Sequence, residues 1–526
     1  MKKGDILEGI ITDYDFPNKG SLICIEDNAD PRKLTIKGTL PGQKVRYQVT
    51  KKKAGMAEGR VLEVLERAPI EDVTPSCPFV QDCGGCTYTT LSYKNQLALK
   101  EQLVKKLLDK VLLADGSNSK DYVWEGILAS PRDNAYRNKM EFTFGDAYKG
   151  GPLALGMHKK GGFYDILTVS GCELVGPSWS KILDYTLQFF TDKNVPYYHR
   201  MRHEGILRSL VVRQSYATGE FLVNLVTSTQ WDTYGFSDVR TLLADYADGL
   251  MKLAERDDFD GSVAGVLYTE NDTLGDVVQC DRMELLYGKD YITEEVLGLK
   301  FKVSPFSFFQ TNTAGCEVLY SKAREYIMDA VTGSGTREAN LGESGSDSQG
   351  CGILYDLYSG TGTIAQMMAP VAEKVYGIEI VEEAVAAARE NAKSNRLDNC
   401  EFIAGDVLKA LDDVTTRPDM IIVDPPRDGI HPKALTKILS YGVDNILYIS
   451  CKPTSLVRDL AVMTAAGYRV TRACAVDQFP RTANVEVVSL LQKMSNTRER
   501  TITHDVDMED YHRIKNRTGV TTDVTE

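Results

Sequence analysis

"ILYDLYSGTGTIAQMMA", Ile353 to Ala369, is the stretch on which the fold turns. An apolar run climbs to Asp356, Gly360 and Gly362 form a turn, and a helix-forming segment follows. Glycines at such a strand–helix junction let the backbone approach a ligand closely. A glycine pair alone is weak, but the next apolar run, "VYGIEI", carries Glu379 about 20 residues on, a place suited to ribose hydroxyls. A third run, "EFIAGD", ends on Asp406, where an adenine could be hydrogen-bonded. The competing reading makes these acids helix N-caps beside ordinary turns. The third glycine of the full dinucleotide fingerprint is missing, so the expected ligand is an adenosine cofactor without a pyrophosphate, S-adenosylmethionine.

Outward from this stretch the βα rhythm continues through "KVYGIEIVEEAVAAARENAKSN", "DMIIVDPPR" and "NILYISCKPTSLVRDLAVMTAAG". Strands alternating with helices predict an α/β, doubly wound, Rossmann-like domain over 296–495. Residues 333–350, poor in large apolar side chains, are expected to be a mobile insertion, and the polar tail 496–526 to be disordered. Upstream, residues 1–67 read as short strands with Gly-rich turns, an OB-like barrel. Residues 68–295 are expected to form a central α+β domain. The lysine run Lys51–Lys53 in "KKKAG" is either a solvated turn or a phosphate-contacting loop. Tyr136, Arg137 and Lys139 in "AYRNKMEFTFG" suit RNA phosphate and base contacts, although an ordinary amphipathic strand reads the same way.

A chain of 526 residues suggests about three domains. The net charge of −13 argues against indiscriminate coating of nucleic acid. Residues 1–60 nevertheless hold twelve Lys and Arg against eight Asp and Glu. No apolar run approaches a membrane span, and the N-terminal stretch lacks the apolar region of a signal peptide, so a cytoplasmic protein is expected. Eleven cysteines, an odd number, fit reduced thiols, metal ligands or catalysis better than a disulfide framework. Cys77, Cys83 and Cys86 in "CPFVQDCGGC" make a ligand cluster, with Cys172 in "VSGCELV" as the natural fourth member. Spacing alone leaves zinc and an iron–sulfur cluster equally open. Cys451 ends an apolar run in "NILYISCKP", as a core filler or as a nucleophile.

"SPFSFFQTN", "DLYSGTGTI", "DPPRDGI", "LYISCKPTSLVRDL" and "FPRTANVEVVSLL" occur in this chain in the order found in the RNA uracil-C5 methyltransferases, which the chain resembles over residues 1 to about 495. The family includes bacterial 23S rRNA (uracil-5-)-methyltransferases and tRNA-modifying relatives. The resemblance implies that S-adenosylmethionine methylates uracil C5 in RNA, with 23S rRNA ahead of tRNA; no membrane is expected, and no protein partner is implied. It implies Cys451 as nucleophile towards C6 and Glu486 as the base that removes the C5 proton. Gln310, Tyr358, Thr363 and Glu379 become cofactor contacts, and Asp424 a contact of cofactor or uracil. The N-terminal barrel looks like a TRAM domain, and the cysteines like the ligands of a [4Fe–4S] cluster. A silent RNA-binding factor that keeps the scaffold is the non-enzymatic rival. Two departures stand out: Arg481 and Asn484 occupy places where many relatives carry histidine, and Thr363 stands where many carry asparagine.

Overall fold

The computed structural model describes residues 2–494 except 25–31, 54–55, 114–121, 163, 276–279, 333–349 and 414–415. The expected insertion (but for Gly350), the tail and positions 54–55 of "KKKAG" lie outside the described residues, whereas Lys51–Lys53 end a strand.

Six N-terminal strands form one sheet in the spatial order Ile6–Ile10, Lys44–Lys53, Met56–Glu66, Arg32–Lys37, Lys19–Cys24 and Asp13–Asp15. Its two outer strands are consecutive in the chain, so the sheet curls around a small core of Leu34, Ile36, Val45, Tyr47 and Val49. Alternation in "KVRYQV" places Val45, Tyr47 and Val49 inward and the intervening polar side chains outward.

A seven-stranded sheet follows, from Ile166–Thr168 through Leu153–His158, Lys139–Asp146, Leu207–Gln214, Glu220–Thr227 and Ser262–Glu270 to Arg282–Gly288. Helices Pro177–Asp192 and Val239–Ala254 share its core through Trp179, Ile182, Leu243, Tyr246 and Leu250. The strand Lys139–Asp146 lies inside this sheet. Tyr136, just before it, is 1% exposed and donates its hydroxyl to the Pro480 carbonyl at 3.0 Å, so it offers no face for base stacking.

The third body is an eight-stranded sheet ordered Cys400–Ala404, Ala372–Glu379, Cys351–Leu357, Met420–Val423, Asn445–Ser450, Glu486–Lys493, Tyr468–Val476 and Val123–Leu128. The first five strands are parallel, as the βα pattern requires. Glu486–Lys493 then runs antiparallel between Asn445–Ser450 and Tyr468–Val476. One contribution comes from the stretch expected to be central. The strand Val123–Leu128 pairs with Tyr468–Val476, and the helix Tyr93–Leu112 packs on the helix Pro453–Ala465. Leu99, Leu103, Val104 and Leu108 form its apolar stripe, and Ser92 caps its start by accepting from the Asn95 N–H at 3.3 Å. Among the described residues no helix is long and apolar enough to cross a membrane.

Candidate active site

The strand order reverses between Cys351–Leu357 and Met420–Val423, and a crevice outside the carboxyl ends of such strands is where α/β sheets bind ligands. The glycine turn stands at that point. Tyr358, Gly360 and Gly362 all have positive φ, at 67°, 55° and 74°, which turns the chain abruptly into the helix Thr363–Met368. A Cβ on Gly362 would lie 2.5 Å from the Phe402 ring, whereas one on Gly360 would meet nothing within 4 Å. Gly362 is therefore demanded by packing, and Gly360 leaves open space over the turn.

The three strand-end acids divide between the two readings made of them. Asp356, 0% exposed, accepts from the Ser359 hydroxyl at 2.7 Å and from the Ala365 N–H at 2.9 Å through one oxygen, and so ties down the turn and the first helical residues. Its other oxygen is buried without a partner, and burial pushes its pKa up to about 7. Glu379 bridges the turn, accepting from the Gly360 N–H and the Val381 N–H, both at 3.0 Å. Asp406 is exposed and accepts from the Leu408 N–H at 2.9 Å, as an N-cap does. Carboxylates with these single bonds keep acceptor positions for a ligand's hydroxyls. The Tyr358 phenol, pushed up to about 12 by burial and then by the charges of Asp406 and Asp459, lies in the same electrostatic neighbourhood. Thr363 is buried, its hydroxyl 3.4 Å from that of Thr361, which in turn donates to the Phe308 carbonyl at 3.4 Å. The 308–310 loop thereby leans on the glycine turn. Gln310, 8% exposed, accepts from the Gln478 amide at 3.4 Å.

A second group gathers at the neighbouring strand ends. The strand Asn445–Ser450 is buried from Ile446 onward and delivers Cys451 half-buried at its end, before Pro453 opens the next helix. Burial pushes the thiol up to about 11, and the charges of Glu486 and Asp424 add to it. Arg427 opposes them with its charge and a hydrogen bond. Lys452, next to Cys451 in the chain, pairs with Asp428 at 3.6 Å. Glu486 opens its strand opposite Val476, is 2% exposed, and keeps one carboxyl oxygen buried without a partner. Burial, then the charge of Asp424, holds its pKa well above the carboxylate range, again opposed by Arg427. Asp424 follows Met420–Val423 and still opens partly to the crevice, but burial and then the charge of Asp356 push its pKa up to about 7. Thus Cys451, Glu486, Asp424 and Arg427 act on one another in one site, and Asp356 links it to the glycine turn. A thiol, carboxyls and a guanidinium so placed can supply a nucleophile, a proton acceptor and a cation that favours thiolate.

The four expected metal ligands also meet. Cys77, Cys83, Cys86 and Cys172 line one cavity of about 200 Å³, walled by Phe79, Val80, Met140, Met157, Val169 and Leu174. Burial, then the other three thiols, pushes Cys86 up to about 12, and burial also raises Cys83 and Cys172. Among the described residues no group of three or more His, Cys, Asp or Glu is placed to hold a metal ion.

Two connections escaped the sequence. Lys100 forms a buried ion pair with Asp477, whose signal was a lysine on the apolar stripe of a helix. Arg481 ties the approach to Glu486 to the cysteine loop, and its only signal was its substitution for histidine.

Residues 346–494 match the model of the tRNA (uracil-5-)-methyltransferase family. An uncharacterized RNA methyltransferase of Caldanaerobacter subterraneus subsp. tengcongensis is 44% identical over 493 residues, covering 94% of this chain and 100% of that protein. Another from Clostridium tetani is 43% identical over 493 residues, covering 94% and 99%. Among solved structures, the Pyrococcus abyssi tRNA (uracil-54, C5)-methyltransferase in complex with S-adenosyl-L-homocysteine superposes with a TM-score of 0.65 at 22% identity, covering 92% of this chain and 100% of that one.

Proposed function

Because the chain belongs to the RNA uracil-C5 methyltransferase family, we propose that it forms 5-methyluridine in RNA by covalent catalysis from Cys451. The observation that carries this reading is that Asp424, Cys451 and Glu486 stand at the ends of adjacent strands, with Arg427 in electrostatic reach of Cys451 and Glu486. Arg427 favours the thiolate, whose sulfur adds to uracil C6 and shifts electron density to C5. S-adenosylmethionine, which the Gly360–Gly362 turn would help to hold, would supply the methyl group to C5 and leave as S-adenosylhomocysteine. Glu486 then takes the C5 proton, the C5–C6 double bond re-forms, and the sulfur leaves as thiolate. Gln310, Tyr358, Thr363, Glu379 and Asp406 would hold the cofactor, and Asp424 the cofactor, the uracil or both. The target uridine must be unstacked to reach a half-buried thiol.

We assign 23S rRNA as substrate on the combination of the N-terminal sheet, read as a TRAM domain, with the four-cysteine cavity. The description of the matched family model favours tRNA as the second reading. Incubation with tritiated cofactor and separated rRNA and tRNA from cells lacking the gene tests this. Label in rRNA supports the assignment, label in tRNA alone replaces it, and label in neither refutes the methyltransferase reading.

For the four cysteines that line one cavity, the family resemblance favours a [4Fe–4S] cluster over zinc. These residues would hold it, and the methyl transfer needs no electron from it. Anaerobic reconstitution with iron and sulfide should give visible cluster absorbance that Cys86→Ser loses; zinc retention without absorbance would contradict it.

A further inference from the structure

The turn leading into Glu486 is held from outside along its length. The Gln478 carbonyl accepts from the Asn312 amide at 3.0 Å, that of Phe479 from Lys100 at 3.0 Å, and that of Pro480 from the Tyr136 hydroxyl at 3.0 Å. Arg481 makes the densest set of contacts. Its carbonyl accepts from the Thr87 N–H at 2.7 Å and the Tyr88 N–H at 3.0 Å, and its own N–H donates to Gln96 at 2.8 Å. Its guanidinium donates to Glu173 and to Asn134. Thr87 follows Cys86 and Glu173 follows Cys172, so one residue grips both arms of the cysteine loop. Arg481 does this at φ 65°, a left-handed conformation unfavourable for a long side chain that surrounding contacts must maintain. Beyond it, Thr482 donates to the Phe479 carbonyl at 2.9 Å, the Asn484 N–H donates to Thr482 at 3.1 Å, and Val485 is fully buried. No slack remains between the grip and the carboxylate that follows.

We infer that Arg481 is a positioning residue that sets where Glu486 stands by clamping its approach to the cysteine-bearing segments. The inference rests on Glu486 being the base that removes the C5 proton, and it holds whatever the thiols bind. Its consequence is specific to one step. Cys451 reaches the crevice from the Asn445–Ser450 strand, so loosening the 478–485 turn leaves addition to C6 largely intact. Loss of the C5 proton and expulsion of the sulfur are what slow down.

Arg481→Ala separates this from a merely structural role, because a misplaced base makes the methylated Cys451–RNA adduct accumulate. On a denaturing gel with labelled RNA and cofactor, turnover should fall by roughly 10²-fold, the order for an ångström of misplacement, while the adduct band grows. Arg481→Lys should restore part of the turnover, and Glu173→Gln should shift both readouts less far in the same direction. Thermal melting of each variant establishes that the fold is kept. Turnover unchanged in Arg481→Ala, or falling together with adduct formation, overturns the inference. Glu486→Gln is the reference: accumulation there with none in Arg481→Ala rejects the clamp alone, and none in Glu486→Gln rejects the base assignment and the clamp with it.

Discussion

Removing the ammonium of Lys100 should open the catalytic body at the joint between the Tyr93–Leu112 helix and the sheet. Lys100 Nζ stands 2.6 Å from Asp477 Oδ1 and 3.0 Å from the Phe479 carbonyl, with the paired side chains 1% and 0% exposed. At an effective dielectric of about 20 that pair attracts by about 6 kcal/mol, largely offset by the several kcal/mol needed to desolvate each ion. The pair therefore contributes little net stability, but losing half of it is costly. Lys100→Met keeps the stem and strands a buried carboxylate whose Oδ2 already lacks a partner. The expected penalty is about 3–5 kcal/mol, a weakening of the closed state by two to three and a half orders of magnitude. Hydrogen exchange of peptides from Tyr93–Leu112 and Tyr468–Val476 reads that opening directly, without assuming two-state unfolding of so long a chain. Lys100→Met combined with Asp477→Leu should recover much of the loss. A single variant within about 1 kcal/mol of the parent, or a double variant worse than the single, would refute the reasoning.

Two further outcomes follow from the crevice. Because the Cys451 thiol is pushed up to about 11, thiolate is the minority species near neutrality, and its fraction rises with pH. Alkylation of Cys451 by iodoacetamide, followed by peptide mass spectrometry, should accelerate about tenfold per pH unit between roughly pH 7 and 10. Arg427→Ala should slow it, since Arg427 favours the charged form; a faster reaction there would contradict that role. Gly362→Ala combines a φ of 74° with a Cβ 2.5 Å from Phe402, a cost of roughly 2–4 kcal/mol from backbone strain and overpacking. It should lower the melting temperature and weaken cofactor binding in calorimetry, and an unaltered melting point would contradict the packing reading.

What was legible in the sequence was whatever a strand end dictates locally. The βα alternation from residue 351 onward, the glycine turn and the place of Cys451 all depend on periodicity and on backbone freedom, which neighbouring residues reveal. What was illegible depends on partners far along the chain. The Tyr93–Leu112 helix reads as an amphipathic helix anywhere, and only the Pro453–Ala465 helix makes it part of the catalytic body. Arg427 and Lys452 look equally able to tune the thiol until Asp428 draws Lys452 away. Asp356 sits where a ligand contact is expected, but Ser359 and Ala365 claim one of its oxygens. Tyr136 reads as a stacking platform until Pro480, more than three hundred residues later, takes its hydroxyl.

The most direct measurement is trapping with an RNA substrate in which the target uridine carries fluorine at C5. Under covalent catalysis from Cys451, that base would take the thiolate and the methyl group but offer Glu486 no C5 proton, so the sulfur would stay attached. A complex resistant to denaturant should form, require S-adenosylmethionine, and yield a cross-linked peptide containing Cys451, while Cys451→Ser forms none and turns over no RNA. Absence of the complex with the parent protein, or undiminished turnover by Cys451→Ser, would contradict covalent catalysis from this residue.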